Sequence, residues 1–206
     1  KLYKPRLHGG KEMDMINKLR SYREEEERLK WEGTFAEYLD IVKERPEVAQ
    51  TAHSRVYNMI KNAGITEADG KKIYHFFEEE IFGLEEAMER LVEEYFHPAA
   101  KRLDVRKRIL LLMGPVSGGK STLVTLLKRG LEAYSRTEEG AVYAIKGCPM
   151  HEDPLHLIPN HLRDDFYNEY GIRIEGSLSP LNTMRLETEY GGRIEDVKVE
   201  RIFFSE

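Results

Sequence analysis

Gly114 to Ser121 read Gly-Pro-Val-Ser-Gly-Gly-Lys-Ser, a complete G-x-x-x-x-G-K-[ST] phosphate-binding loop. The residue types follow from the ligand such a loop holds. A polyphosphate has to be wrapped by backbone N–H groups, and side chains at the tight positions would block it. Gly114, Gly118 and Gly119 supply backbone freedom and close approach, with Pro115, Val116 and Ser117 completing the loop between them. Lys120 would reach the β- and γ-phosphates and stabilise charge as the terminal phosphoryl group leaves, which makes it the catalytic candidate. The Ser121 hydroxyl would ligate Mg²⁺, and Thr122 begins the helix whose positive N-terminal end faces the anion. The chemistry implied is binding of a nucleoside triphosphate with magnesium.

Such a loop needs a strand before it and a helix after it. Arg108-Ile-Leu-Leu-Leu-Met113 is a short apolar run ending at the first glycine, as a buried parallel strand would. Beyond the loop, Leu123, Leu126, Leu127 and Leu131 fall at helical spacing.

Upstream the chain reads as helices. Residues 13–30 form a charged helix with sparse apolar positions. Thr34-Phe-Ala-Glu37 is a capping box that opens a second helix, and Pro46 opens a third that stops at Gly64. A further helical segment is expected over Lys71–Glu80. Leu84, Ala87, Met88, Leu91, Val92, Tyr95 and Phe96 then give the cleanest amphipathic pattern in the chain. Downstream the pattern is mixed. A strand is expected over Ala141–Lys146 and helices over Asn160–Tyr170 and from Ser179-Pro180 to Gly191. A short strand is read at Ile172–Glu175, and Glu195–Phe204 is β-rich.

Composition narrows the field. Forty per cent apolar and 33 per cent charged residues fit a soluble globular protein, and no run approaches the ~20 apolar residues that span a membrane. The single cysteine, Cys148, excludes an internal disulfide and fits a reducing cytoplasm. A net charge of −5 argues against a general nucleic-acid binder.

Three other constellations have residue types that could do chemistry. Cys148, His151, His156 and His161 lie close together, but their spacing fits no standard zinc finger. His161-Leu-Arg163-Asp164 has a faint likeness to a eukaryotic kinase catalytic loop, yet no D-F-G or V-A-I-K accompanies it, so it reads as the start of a helix. Ile202-Phe-Phe-Ser-Glu206 offers an apolar run followed by an acid, as a second magnesium ligand would require. The preferred reading is that this acidic site is not in the sequence and that the catalytic core is incomplete at its C-terminal end.

Several segments together are specific. They are Arg23-Glu-Glu-Glu-Glu-Arg-Leu-Lys-Trp31-Glu-Gly-Thr-Phe, Thr51-Ala-His-Ser-Arg-Val-Tyr57, Phe82-Gly83-Leu-Glu-Glu, the loop itself, Lys146-Gly-Cys-Pro-Met-His-Glu152 and Glu175-Gly-Ser-Leu-Ser-Pro180. In this combination the chain resembles the PrkA-type bacterial serine protein kinases, whose ATP-binding region is AAA+-like. The resemblance implies an α/β fold, a three-layer P-loop NTPase core incomplete at the C-terminus and preceded by an α-helical region. Residues 1–13 would be a flexible tail, 14–70 the helical region and 71–206 the partial ATP-binding domain. It implies ATP and Mg²⁺ as ligands, held by Gly114 to Thr122, with Phe82 and Gly83 beside the adenine. It implies a cytoplasmic protein, linked in spore formers to sporulation, that transfers the γ-phosphate to serine of a protein substrate. It also implies ring assembly in the full-length protein. The alternative is an AAA+ motor that remodels or unfolds proteins, for instance to feed a protease.

Overall fold

The computed structural model describes residues 15–68, 70–101, 110–114 and 118–204. The chain divides into two units, residues 1–31 and 32–206. In the first, α1 (Met15–Leu29) is a charged helix. Tyr22 donates to Glu26 one turn on, at 2.7 Å.

The second unit opens with β1 (Glu32–Thr34) and α2 (Phe35–Glu44). The junction is a capping box. Thr34 Oγ1 accepts from Glu37 N–H at 3.3 Å, and the Glu37 carboxylate accepts from Thr34 N–H at 2.7 Å. Phe35, Tyr38 and Val42 lie on one face of α2 and are buried. Thr34→Ala removes the cap and is expected to lower stability by about 1 kcal/mol, read as the midpoint of urea unfolding.

A 3₁₀ turn at Pro46–Ala49 leads to α3 (Ala52–Asn62), capped by Thr51. Residues 71–80 do not form the expected helix. Instead β2 (Ile65–Ala68) and β3 (Lys71–Tyr74) make an antiparallel hairpin with Ala68 opposite Lys71, followed by the short α4 (His75–Glu78). The reason is the two-residue connection Asp69-Gly70. Gly70 sits at φ +74°, a conformation glycine adopts without penalty, and an Asp-Gly pair is a hairpin signal.

The amphipathic segment runs unbroken through α5 (Glu85–Arg90), a π turn (Leu91–Phe96) and α6 (His97–Ala100). Pro98 has no N–H to return to the carbonyl four residues back. The turn before it widens, and His97 N–H reaches back five residues to Val92. The phosphate loop leads into α7 (Lys120–Ser135). One core joins these elements: Met59 and Ile60 of α3, Tyr74, Phe77, Ile81, Met88, Val92 and Phe96, with Leu123 and Tyr134 of α7.

β4 (Val142–Ile145), α8 (Arg163–Tyr170), α9 (Pro180–Tyr190) and β5 (Lys198–Ile202) complete the unit. The sheet has the order β1-β5-β4 and both pairings are antiparallel. Two buried arginines tie it to the helices. Arg55 donates to the carbonyls of Gly140, Ala141 and Val48. Arg201 donates to the carbonyls of Ser135, Arg136 and Thr137, where its charge meets the negative end of α7.

Helix and sheet are mixed as an α/β fold requires, but the three-layer core is not seen complete among the described residues, and Arg108 and Ile109 of the expected strand lie outside them. Among the described residues no strand is parallel to another, and Leu110–Met113 form no strand. A parallel strand exists only as part of a ladder, and no described backbone pairs with this run. Leu111 and Met113 are 73% and 82% exposed, where a central strand would be buried on both faces. The strand expected at Ile172–Glu175 is likewise absent. β5 is the centre of the antiparallel sheet and ends at Ile202, the first residue of the apolar run, and Glu206 lies outside the described residues.

Candidate functional site

The start of α7 fixes the described part of the loop. Gly119 is the residue before the helix and takes φ +74°, a left-handed turn that aims the chain into the first turn. Leu123 is buried in the core and anchors that turn, while Ser121 and Thr122 remain exposed. The first turn of α7 carries no acidic side chain, so nothing on the helix itself neutralises its positive end. Lys120 Nζ folds back to donate to the Gly114 carbonyl at 2.8 Å, which brings both ends of the loop together. Pro115, Val116 and Ser117 lie outside the described residues.

These groups open into a cleft of about 1030 Å³. Gly114, Gly118, Gly119 and Lys120 line it. Ile81, Phe82, Leu84, Met88, Leu91 and Tyr95 supply an apolar wall, and Leu110 to Met113 line the same cleft. Phe82 is 77% exposed, a ring offered to the cleft rather than packed in the core. Gly83 is adjacent at φ +71°, its N–H held by the Glu85 carboxylate at 3.0 Å. The fold therefore brings Phe82 to the same cleft as Gly114, Gly118, Gly119 and Lys120, with Gly83 beside it. The lining thus combines a lysine and loop N–H groups with an apolar wall. A molecule with a polyphosphate tail and a flat apolar head matches both.

The cleft also contains two carboxylates, and both are engaged. Arg129 of α7 donates to both oxygens of Glu80, at 2.5 and 2.6 Å, and Arg90 lies 3.4 Å from Glu94. Among the described residues no group of three or more His, Cys, Asp or Glu side chains could hold a metal. The Ser121 hydroxyl on the first turn of α7 is a hard oxygen donor of the kind magnesium takes. With phosphate oxygens and water it would give the sparse protein ligation typical of that ion.

Sequence reading missed the α5 wall, Arg129 and Gly130. Gly130 left a visible signal: a glycine inside a helix costs stability and asks for a packing reason. The reason is Phe76, whose ring lies against it.

A second polar cluster surrounds Glu152. Its carboxylate accepts from Ser179 N–H and Oγ at 2.7 and 2.6 Å, and from Asn182 Nδ2 at 2.6 Å. His156 Nδ1 lies 3.1 Å away, and the other ring nitrogen is 2.8 Å from the Glu175 carbonyl. Burial opposes ionisation of Glu152, but the hydrogen bonds from Ser179, Asn182 and His156 outweigh it and hold the carboxyl below its ordinary range. Burial also opposes the Cys148 thiolate. Hydrogen bonds from the Glu152 and Met150 N–H groups and from Asn182 prevail there too, lowering its pKa. The residue types suggest nucleophilic catalysis, but the order is wrong. Ser179 gives its proton to the carboxylate rather than to an imidazole, and it caps α9. Among the described residues no serine or cysteine side chain hydrogen-bonds to a histidine. Arg163 is structural as well, its guanidinium committed to the carbonyls of Ile158 and Gly176.

Comparison with known sequences supplies the name for this arrangement. The sequence profile of the PrkA AAA domain matches residues 33–206. The chain belongs to that family. It is 81% identical, over 194 residues, to the ATP-dependent protease PrkA of Bacillus subtilis (strain 168). That alignment covers 94% of this chain and 31% of the relative. A shorter protein of Geobacillus stearothermophilus is 74% identical over 97 residues, 47% of this chain and all of the relative. The serine/threonine kinase YeaG of Escherichia coli (strain K12) is 34% identical over 133 residues, 61% of this chain and 19% of the relative. The PrkA AAA chain thus spans about a third of the Bacillus relative and a fifth of the Escherichia one. No solved structure matches it. No helix among the described residues is long and apolar enough to cross a membrane.

Proposed function

We propose that this chain is the ATP-binding module of a PrkA-type protein and that Mg²⁺-ATP lies in the cleft at the start of α7. The observation that carries this is the convergence of Lys120, the start of α7 with no acidic side chain in its first turn, and the apolar wall around Phe82 on one cavity. In this reading the backbone N–H groups between Gly114 and Thr122, Pro115 excepted, would hold the phosphates, and Lys120 would reach the β- and γ-phosphates. Ser121 holds magnesium, and the base lies against Ile81 and Phe82, with Gly83 giving the turn beside it. Residues 71–206 supply the nucleotide site, and the helices of 14–70 precede it.

The work done with ATP belongs to the whole protein. PrkA and YeaG relatives carry two names, and each supports one reading. The serine/threonine kinase name supports transfer of the γ-phosphate to serine of a protein substrate. The protease name belongs to the relative at 81% identity, and with the AAA domain it supports a motor that unfolds proteins for degradation. Neither reading draws its reactive group from the Glu152 cluster, whose hydrogen bonds are those of a helix cap.

Incubating the whole protein with γ-labelled ATP and a serine-rich protein such as casein separates the two. Label in phosphoserine supports the kinase. Label only in free phosphate, together with substrate cleavage, supports the motor. No turnover of either kind, with ATP unbound, would contradict the ATP-binding reading itself.

A further inference from the structure

Two adjacent residues of α7, Arg129 and Gly130, hold the segment that carries the apolar wall. Arg129 grips both carboxylate oxygens of Glu80, at 2.5 and 2.6 Å. At Gly130 the Phe76 ring packs on bare backbone. A Cβ there would meet Phe76 Cε2 and Cζ at 2.7 Å and Met59 Sδ at 2.8 Å. Between these anchors the chain cannot swing freely. Glu80 and Ile81 N–H both return to the Phe77 carbonyl, at 3.3 and 2.9 Å, and Phe77 and Ile81 are buried. At its far end Leu84 comes close to the residue that precedes the same helix, since a Cβ on Gly119 would lie 3.9 Å from Leu84 Cδ1. One helix therefore carries Lys120 at its start and fixes the wall from about three turns further along.

We infer that Arg129 and Gly130 are positioning residues for the nucleotide. They set where the Ile81–Leu84 wall stands relative to Lys120, and so decide how well the base is held once the phosphates are seated. This rests on the reading of the cleft as a nucleotide site. The pair matters because an apolar wall recognises a flat ring only by contact, and a small displacement forfeits much of that contact.

The test compares Mg²⁺-ATP with inorganic tripolyphosphate, which has the phosphates and no base, on the intact chain. Gly130→Ala gains about 1 kcal/mol of helix propensity, which offsets part of the overpacking against Phe76 and Met59, and a thermal melt of the variant checks that the fold is kept. Arg129→Glu releases Glu80. Each variant is expected to weaken ATP at least about fivefold and to leave tripolyphosphate within about twofold. The double variant Arg129→Glu with Glu80→Arg should recover ATP binding. Equal weakening of both ligands, or unchanged ATP binding in both single variants, overturns the inference. If the unaltered chain binds neither ligand, the phosphate-loop reading fails first and takes this proposal with it.

Discussion

Lys120→Ala is expected to weaken Mg²⁺-ATP binding by roughly 10- to 100-fold, about 1.4 to 2.8 kcal/mol. The side chain already stands at the loop, its ammonium 2.8 Å from the Gly114 carbonyl. A polyphosphate offers that ammonium a stronger, charge-assisted partner than a neutral carbonyl, so the lysine exchanges one for the other on binding. Alanine keeps the helix and removes the charge. Titration with a fluorescent ATP analogue reads the effect directly. Equal binding by both proteins would mean that the cleft does not seat phosphates through Lys120. The variant should keep its thermal midpoint, because the loss is confined to one half-exposed side chain.

Glu152→Ala is expected to destabilise the chain by on the order of 3 kcal/mol. That corresponds to a fall of roughly 6–12 °C in Tm for a unit of this size. The carboxylate collects four hydrogen-bonding groups from Ser179, Asn182 and His156, and its side chain is only 7% exposed. Without it those groups are left without their acceptor. The pH dependence has a definite sign. The folded carboxyl titrates below its unfolded value of about 4.5, so its contribution is fully present above that value. It is lost as pH falls through the lower folded pKa. The stability gap between the unaltered chain and Glu152→Gln should therefore be constant near neutrality and narrow below about pH 4.5. A gap that widened on acidification would show that the carboxylate is not what the cluster holds.

The legibility of the fold followed the range of the forces involved. Local chemistry was readable. Thr34 and Glu37 form the capping box their spacing announces, and the helices predicted to stop at Gly171 and Gly191 do so. The α5 pattern gave a helix, although its π turn required noticing what Pro98 denies the chain. The β2–β3 hairpin was also written locally, in Asp69-Gly70, but the apolar residues around it mimic a helical repeat. Leu110–Met113 show the opposite case. Their composition is that of a buried strand, but a strand depends on neighbours that lie far away in sequence. The phosphate loop could be named from its motif, whereas the cleft could not. Nothing local says that Glu80 will reach Arg129 or that Phe76 will lie on Gly130. Those contacts come from the packing of the 76–84 segment on α7.

The most direct test of the central claim is photolabelling with 8-azido-ATP in the presence of Mg²⁺, followed by peptide mapping. The account predicts label on residues of the wall between Ile81 and Tyr95 or on Leu110 to Met113, with protection by excess ATP and loss in Lys120→Ala. A separate cavity of about 770 Å³ lies around Asn160, Arg163 and Arg173. Protectable label there, or label that ATP does not displace, would contradict it.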